Sequence, residues 1–134
     1  VPAGYSGTPL ARKLGFTDGL AVWAKAMPDS VRAEIAEAAA LRYVARPAKG
    51  LPAAHVFHTS AAALEADLTR LRGLLDPAGM VWVSWPKRAA KVETDITEDT
   101  VRALALPMGF VDVKVCAVDA VWSGLKLVIR KSLR

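Results

Sequence analysis

Apolar residues repeat along this chain at two periods, and the points where one period gives way to the other mark its elements. The clearest helical period follows Ser60. Leu64, Leu68, Leu71 and Leu75 fall at i, i+4, i+7 and i+11, one face of a helix. Ser60 itself is a natural N-cap. The helix runs into Leu74-Leu75, Asp76-Pro77-Ala78-Gly79 makes a tight turn, and Met80–Trp85 follows as a buried strand that Pro86 stops. A helix delivered to a buried strand through such a turn is the half-unit of an α/β sheet.

The remaining pattern extends that unit in both directions. Residues 1–19 are a lead-in rich in glycine and proline, in which Pro9–Gly15 reads as a short helix opened by proline and closed by glycine. Leu20–Ala26 reads as the first strand. Pro28-Asp29 opens a helix with Val31, Ile35 and Ala38 on one face. Leu41–Ala45 reads as a second strand, with extension of the preceding helix through Leu41-Arg42-Tyr43 the alternative, Arg46–Pro52 as a loop and Ala53–Thr59 as a third strand. Beyond the polar loop Pro86–Ile96, Thr97 caps a helix with Glu98 and Asp99 in its first turn, where negative charge suits the helix dipole, and Pro107 and Gly109 end it. Phe110–Val118 alternates, with Val111, Val113, Val115 and Ala117 on one face and Asp112, Lys114 and Cys116 on the other. Asp119–Gly124 turns the chain and Leu125–Lys131 alternates again.

The order is therefore β-α-β-β-α-β-α-β-β, in one domain spanning 1–134. Right-handed crossovers put helices on both faces of a mostly parallel sheet, and the last two strands form an antiparallel hairpin. Asp112 should then lie opposite Arg130-Lys131. The helix missing between the second and third strands should leave one sheet face partly bare near Leu41–Ala54, to be covered by residues 1–19 or by a second subunit.

Composition narrows this picture only a little. At 134 residues and 53% hydrophobic content the chain can bury a core of its own. No apolar run is long enough to span a bilayer. The opening residues have neither the basic nor the apolar region of a secretion signal, and with no initiator Met a few residues are expected to precede them. One cysteine excludes an internal disulfide framework, and the expectation is a cytoplasmic protein. The net charge of +5 permits anionic partners without demonstrating one.

Specific residues carry a resemblance. The Leu74–Lys87 stretch and the C-terminal hairpin resemble the second half of the class I methyltransferase fold, over roughly residues 20–131. The segments Ala3–Leu10, Val83–Lys87, Thr94-Asp95, Lys114–Asp119 and Trp122–Leu125 resemble a bacterial family of small proteins of unknown function. The implied fold is a small three-layer Rossmann-like, methyltransferase-like α/β domain with a C-terminal antiparallel hairpin. The second resemblance implies no activity.

Such a fold keeps its chemistry at the carboxyl ends of its strands. S-adenosylmethionine and dinucleotides need a glycine-rich turn after the first strand and an acid ending the second. Here Met27-Pro28-Asp29-Ser30 follows the first strand and Ala45-Arg46 ends the second, so both signatures are missing. The expectation is no cofactor, with S-adenosylmethionine the one that a divergent site could hold. The strand ends gather Ser60, Trp85, Lys87, Asp119 and Trp122, which are the candidate ligand-binding residues. The competing reading has the tryptophans covering the end of the core. Lys87, Arg88 and Lys91 read as a solvated loop rather than a phosphate or nucleic-acid contact. His55 and His58, three apart on a strand, point to opposite faces and supply no metal site, and Cys116 reads as packing rather than as a nucleophile. Ser84 has no base near it in sequence, and no catalytic residue is assigned.

The functional reading at this level is a non-catalytic or ligand-binding domain with a degenerate cofactor site. The alternatives are a divergent S-adenosylmethionine-dependent methyltransferase or a protein-interaction module. A small ligand or a second copy of the chain are the expected partners, with no membrane and no nucleic acid.

Overall fold

A computed structural model describes residues 7–134; the N-terminal part of the lead-in, with Ala3–Ser6, lies outside the described residues. The elements are α1 (Leu10–Leu14), β1 (Ala21–Lys25), α2 (Asp29–Ala36), β2 (Arg42–Tyr43), β3 (Leu51–Phe57), α3 (Ala61–Leu74), β4 (Leu75–Pro86), α4 (Glu98–Ala105), β5 (Phe110–Ala117) and β6 (Trp122–Ile129), with short 3-10 turns after β4, α4 and β6. One six-stranded sheet runs in the order β2-β1-β3-β4-β6-β5. The pairs β1–β2, β1–β3 and β3–β4 are parallel, and β6 runs antiparallel to both β4 and β5. This is the expected mixed α/β sheet, with one antiparallel strand supplied by the hairpin.

Each face of the sheet has its own core. Leu64, Leu68 and Leu71 of α3 and Val101 of α4 close over Val56, Val81, Val83 and Leu125. Leu10 and Leu14 of α1 with Val31 and Ile35 of α2 close over Val22, Ala53, Phe57 and Trp82 on the other face. Trp82 is fully buried there, and its indole N–H donates to the Leu14 carbonyl at 2.8 Å, tying α1 to the sheet. Ser60 caps α3 by accepting from Ala63 N, and Thr97 caps α4 with Thr100 in a reciprocal pair. The expected Asp76–Gly79 turn before the strand is not a separate turn: β4 already begins at Leu75, and residues 76–79 form an irregularity within it, since Leu51 pairs with Leu75 and Ala53 with Met80. A Cβ on Gly79 would meet Leu75 and the Pro52 carbonyl at 2.9 Å, and Asp76 Oδ1 braces the irregularity by accepting from Ala78 N.

Four further expectations are corrected. β6 begins at Trp122, not Leu125, because Asp119 tightens the preceding turn and Gly124 is a strand glycine that makes room for Trp82. A bulge between Asp112 and Lys114 breaks the alternation of β5, so Val113 and Val115 are 55% and 47% exposed on an edge strand. Asp112 lies opposite Leu127 and pairs with Arg102 of α4 at 2.9 Å, not with Arg130-Lys131. The described part of the lead-in packs with α2, opposite the face that the short β2–β3 connection leaves without a helix. On that barer face Trp23 of β1 is flanked by Lys25 and Arg70, each about 6 Å from its ring (6.0 and 5.9 Å).

Candidate functional site

The chain leaves β1 toward β2 and returns to form β3 on the other side of β1. The carboxyl ends of β1 and β3 therefore flank the point where the winding reverses, which is where open α/β sheets bind ligands. Three groups of residues meet along this edge.

The first is the turn after β1. Ala26 has φ of 57°, the left-handed region usually left to glycine. Asp29 then starts α2, whose N-cap residue, Pro28, offers no side-chain hydrogen bond to the first amides. Beside it, at the end of β2, the Arg32 guanidinium lies 3.8 Å over the Tyr43 ring. Burial pushes the Tyr43 hydroxyl up, and Arg32 opposes that shift.

The second group sits between β1, β3 and α3. Asp67 Oδ2 accepts from Lys25 Nζ and from His58 Nε2, each at 2.7 Å. Lys25 is the last residue of β1 and His58 the first after β3. Asp67 and His58 are both buried, while Lys25 is partly exposed.

The third is a groove beyond β3 and β4. Thr59, Ser60, Glu93, Thr94 and Asp95 bound a cavity of about 480 Å³. Thr94 is shared with a neighbouring cavity of about 430 Å³ against Trp85, Arg88, Ile96 and Glu98. Both volumes lie in the range of small-molecule sites. The rim is held by short bonds: Thr94 Oγ1 donates to the Thr59 carbonyl at 2.8 Å, and Asp95 Oδ1 accepts from Ala61 N at 2.7 Å.

The five candidate ligand-binding residues divide between the two faces. Ser60 and Trp85 line the groove on the side of α3 and α4. Trp122 stands edge-on to Phe57 at 5.2 Å, on the side of α2. Asp119 Oδ1 accepts from Val121 N and Trp122 N at 2.8 and 2.7 Å and so organises the hairpin turn. The Lys87 amide donates to the Val121 carbonyl. The sheet separates the two tryptophans, so they do not form a common aromatic cleft. Glu34 of α2 feels Asp119 from the same side: burial first, then Glu37 and Asp119, raise its carboxyl above the usual range.

The sequence reading missed Ala26, the Lys25–Asp67–His58 cluster and the Thr94-Asp95 rim. One signal was available. Asp67 interrupts the leucine face of α3, three residues after Leu64 and four before Leu71, and an acid buried there needs a partner. The reading also found no base for Ser84, yet Ser84 Oγ lies 2.8 Å from His55 Nε2. Both residues are fully enclosed, so this pair is part of the core. Among the described residues no group of three or more His, Cys, Asp or Glu side chains is gathered to hold a metal ion, and no helix is long and apolar enough to cross a membrane.

No family model matches the chain, and no curated protein is similar to it in sequence. Its fold has many solved counterparts. It is similar to a putative type 11 methyltransferase from Sulfolobus solfataricus, with TM-score 0.61 and 10% identity over 88% of this chain and 87% of that one. The fold is that of the methyltransferases. It is likewise similar to a SAM-dependent methyltransferase from Aquifex aeolicus (TM-score 0.62, 12% identity, 90% of this chain and 87% of that one). A third is the Burkholderia thailandensis 1,6-didemethyltoxoflavin-N1-methyltransferase with bound S-adenosylhomocysteine (TM-score 0.60, 16% identity, 91% and 75%). Against larger proteins of the same fold, such as LepI in complex with SAM, the chain spans 39% of the length. The expectation of no cofactor is corrected by these findings, since structures of this fold include complexes with S-adenosylmethionine and S-adenosylhomocysteine. That expectation rested on absent glycines and an absent acid, and neither absence governs the backbone shape of the turn after β1.

Proposed function

We propose that this chain binds S-adenosylmethionine at the carboxyl ends of β1 and β3 and acts as a divergent methyltransferase. The observation that carries the reading is the turn after β1. It takes the left-handed path at Ala26 without a glycine and leads into the uncapped start of α2, at the point where the winding reverses. That answers the need for close backbone approach. The likeness to small methyltransferases over nearly the whole chain supports the same reading.

The fit is good at the turn and different at the ribose end. β2 ends without an acid, and Arg32 and Tyr43 stand there instead. Carboxylates on the α2 side of this edge include Asp29, in the first turn of α2, and Asp119 in the hairpin turn, with Glu34 farther along α2. We assign the ribose hydroxyls to Asp29 and the cofactor's carboxylate to the open amides at the start of α2. When bound, S-adenosylmethionine supplies an electrophilic methyl group on a cationic sulfur. The groove of Ser60, Thr94 and Trp85 then receives the methyl acceptor, with Trp85 as its apolar wall and Thr94 and Ser60 on its polar rim. Trp122, with Lys87 behind the hairpin turn, braces the cofactor side.

Calorimetric titration with S-adenosylhomocysteine tests the proposal. Micromolar binding is expected, weakened at least tenfold by Ala26→Val, because a β-branched residue is strained at positive φ. An absence of heat at high micromolar ligand would overturn it.

A further inference from the structure

The His58–Asp67 pair is built asymmetrically. Its side chains are only 7% and 8% exposed, and Nε2 lies 2.7 Å from Asp67 Oδ2. An ionised carboxylate only accepts, so Nε2 carries the ring proton and Nδ1 of the neutral imidazole presents a lone pair. Among the described residues Nδ1 of His58 has no hydrogen-bond partner, and the one fully enclosed side-chain nitrogen or oxygen left without a partner is Nδ1 of His55. The open nitrogen of His58 therefore keeps contact with solvent. It does so in the first residue after β3, next to Thr59 and Ser60 of the groove. Lys25 holds the same carboxylate oxygen from the end of β1 and fixes the rotamer of Asp67.

We propose that His58 is the general base of this site. Its substrate is then a compound whose hydroxyl or N–H group must lose a proton as it is methylated, an inference that rests on the methyltransferase reading. As the acceptor's oxygen or nitrogen lone pair closes on the donor's methyl carbon, the electron pair of the broken carbon–sulfur bond stays on sulfur. The acceptor's proton passes to Nδ1 of His58 and from there to solvent. Asp67 is the positioning residue: it holds the ring in the tautomer that leaves Nδ1 free and stabilises the imidazolium that forms.

Diethyl pyrocarbonate, which acylates unprotonated imidazole nitrogens, tests this in a chain with two histidines. One carbethoxyl group is expected on the folded protein, on His58 and not on His55. Asp67→Asn should slow the reaction at least fivefold. Phenol should slow it too, while toluene, the same ring without an ionisable proton, should not. Nitrogen-15 spectra of the wild type should show His58 protonated on Nε2, a readout that stands even where Asp67→Asn does not fold. An unreactive His58, two histidines reacting alike, a rate indifferent to Asp67→Asn, equal protection by phenol and toluene, or a proton on Nδ1 would each overturn the assignment. Titration with S-adenosylhomocysteine on the same samples separates the two claims. No binding alongside an Asp67-dependent His58 would overturn the cofactor reading and leave the base assignment standing.

Discussion

Acid should destabilise this protein through His55 before most of its carboxylates titrate. His55 is wholly buried between Phe16, Phe57 and Trp82, with Ser84 as its hydrogen-bond partner. Burial pushes its pKa down to about 3. An unfolded histidine titrates near 6.5. The unfolded chain thus binds a proton that the folded one refuses. The neutral ring's contribution is complete above about pH 6.5 and is lost as the pH falls from there toward about 3. The slope is about 1.4 kcal/mol per pH unit, or roughly 2 to 3 kcal/mol between pH 6.5 and 4.5. Urea melts at half-unit intervals, on the wild type and on His55→Met, measure it, and the difference between the two isolates the histidine from the rest of the protein. Wild-type stability should fall relative to the variant by that amount as the pH drops. A difference that stays flat from pH 7 to 4.5 would refute the reasoning. Ser84→Ala removes the ring's hydrogen-bond partner among the described residues and should destabilise the protein by about 1 to 3 kcal/mol at neutral pH.

Other outcomes follow from single contacts. Gly124→Ala would put a Cβ 3.1 Å from Val118 and 3.2 Å from the Trp82 ring, so chemical denaturation should show a loss of about 1 to 3 kcal/mol, with a changed tryptophan emission as Trp82 is displaced. Ala26→Gly relieves a left-handed non-glycine residue; it should leave stability equal or raise it by up to about 1 kcal/mol, and S-adenosylhomocysteine binding should survive. Hydrogen bonding from Arg102 holds the Asp112 carboxyl below its ordinary range, a contribution present above the unfolded value and lost as the pH falls through the folded one. Arg102→Met should bring the Asp112 titration, followed by carbon-13 NMR, back up to the ordinary carboxylate range.

What could be read from the sequence was periodic or local. The leucine stripe of α3, its Ser60 cap and the order of strands and helices were legible because each depends on residues within one or two turns of chain. The break in β5 was not, since a bulge answers to its partner strand, and a glycine such as Gly124 reads as a turn until Trp82 is seen beside it. The site was legible only as a sheet edge. Ser60 and Trp85 line neighbouring cavities joined at Thr94, but the sheet parts them from Trp122, because residues 85 and 122 enter the edge on opposite faces. The two hydrogen-bonded histidines show the same limit. His55 finds Ser84, 29 residues away, through parallel strand register, and His58 finds Asp67 across a strand-to-helix connection. The cofactor expectation looked for glycine after β1, whereas the chain takes the left-handed turn there at Ala26.

The most direct measurement is the calorimetric titration of the wild-type chain with S-adenosylhomocysteine, repeated with Trp122→Ala. The account predicts micromolar binding that Trp122→Ala weakens severalfold through the strand-end packing against Phe57. No detectable binding at high micromolar concentration would contradict its central claim, that the edge beyond β1 and β3 is a working cofactor site.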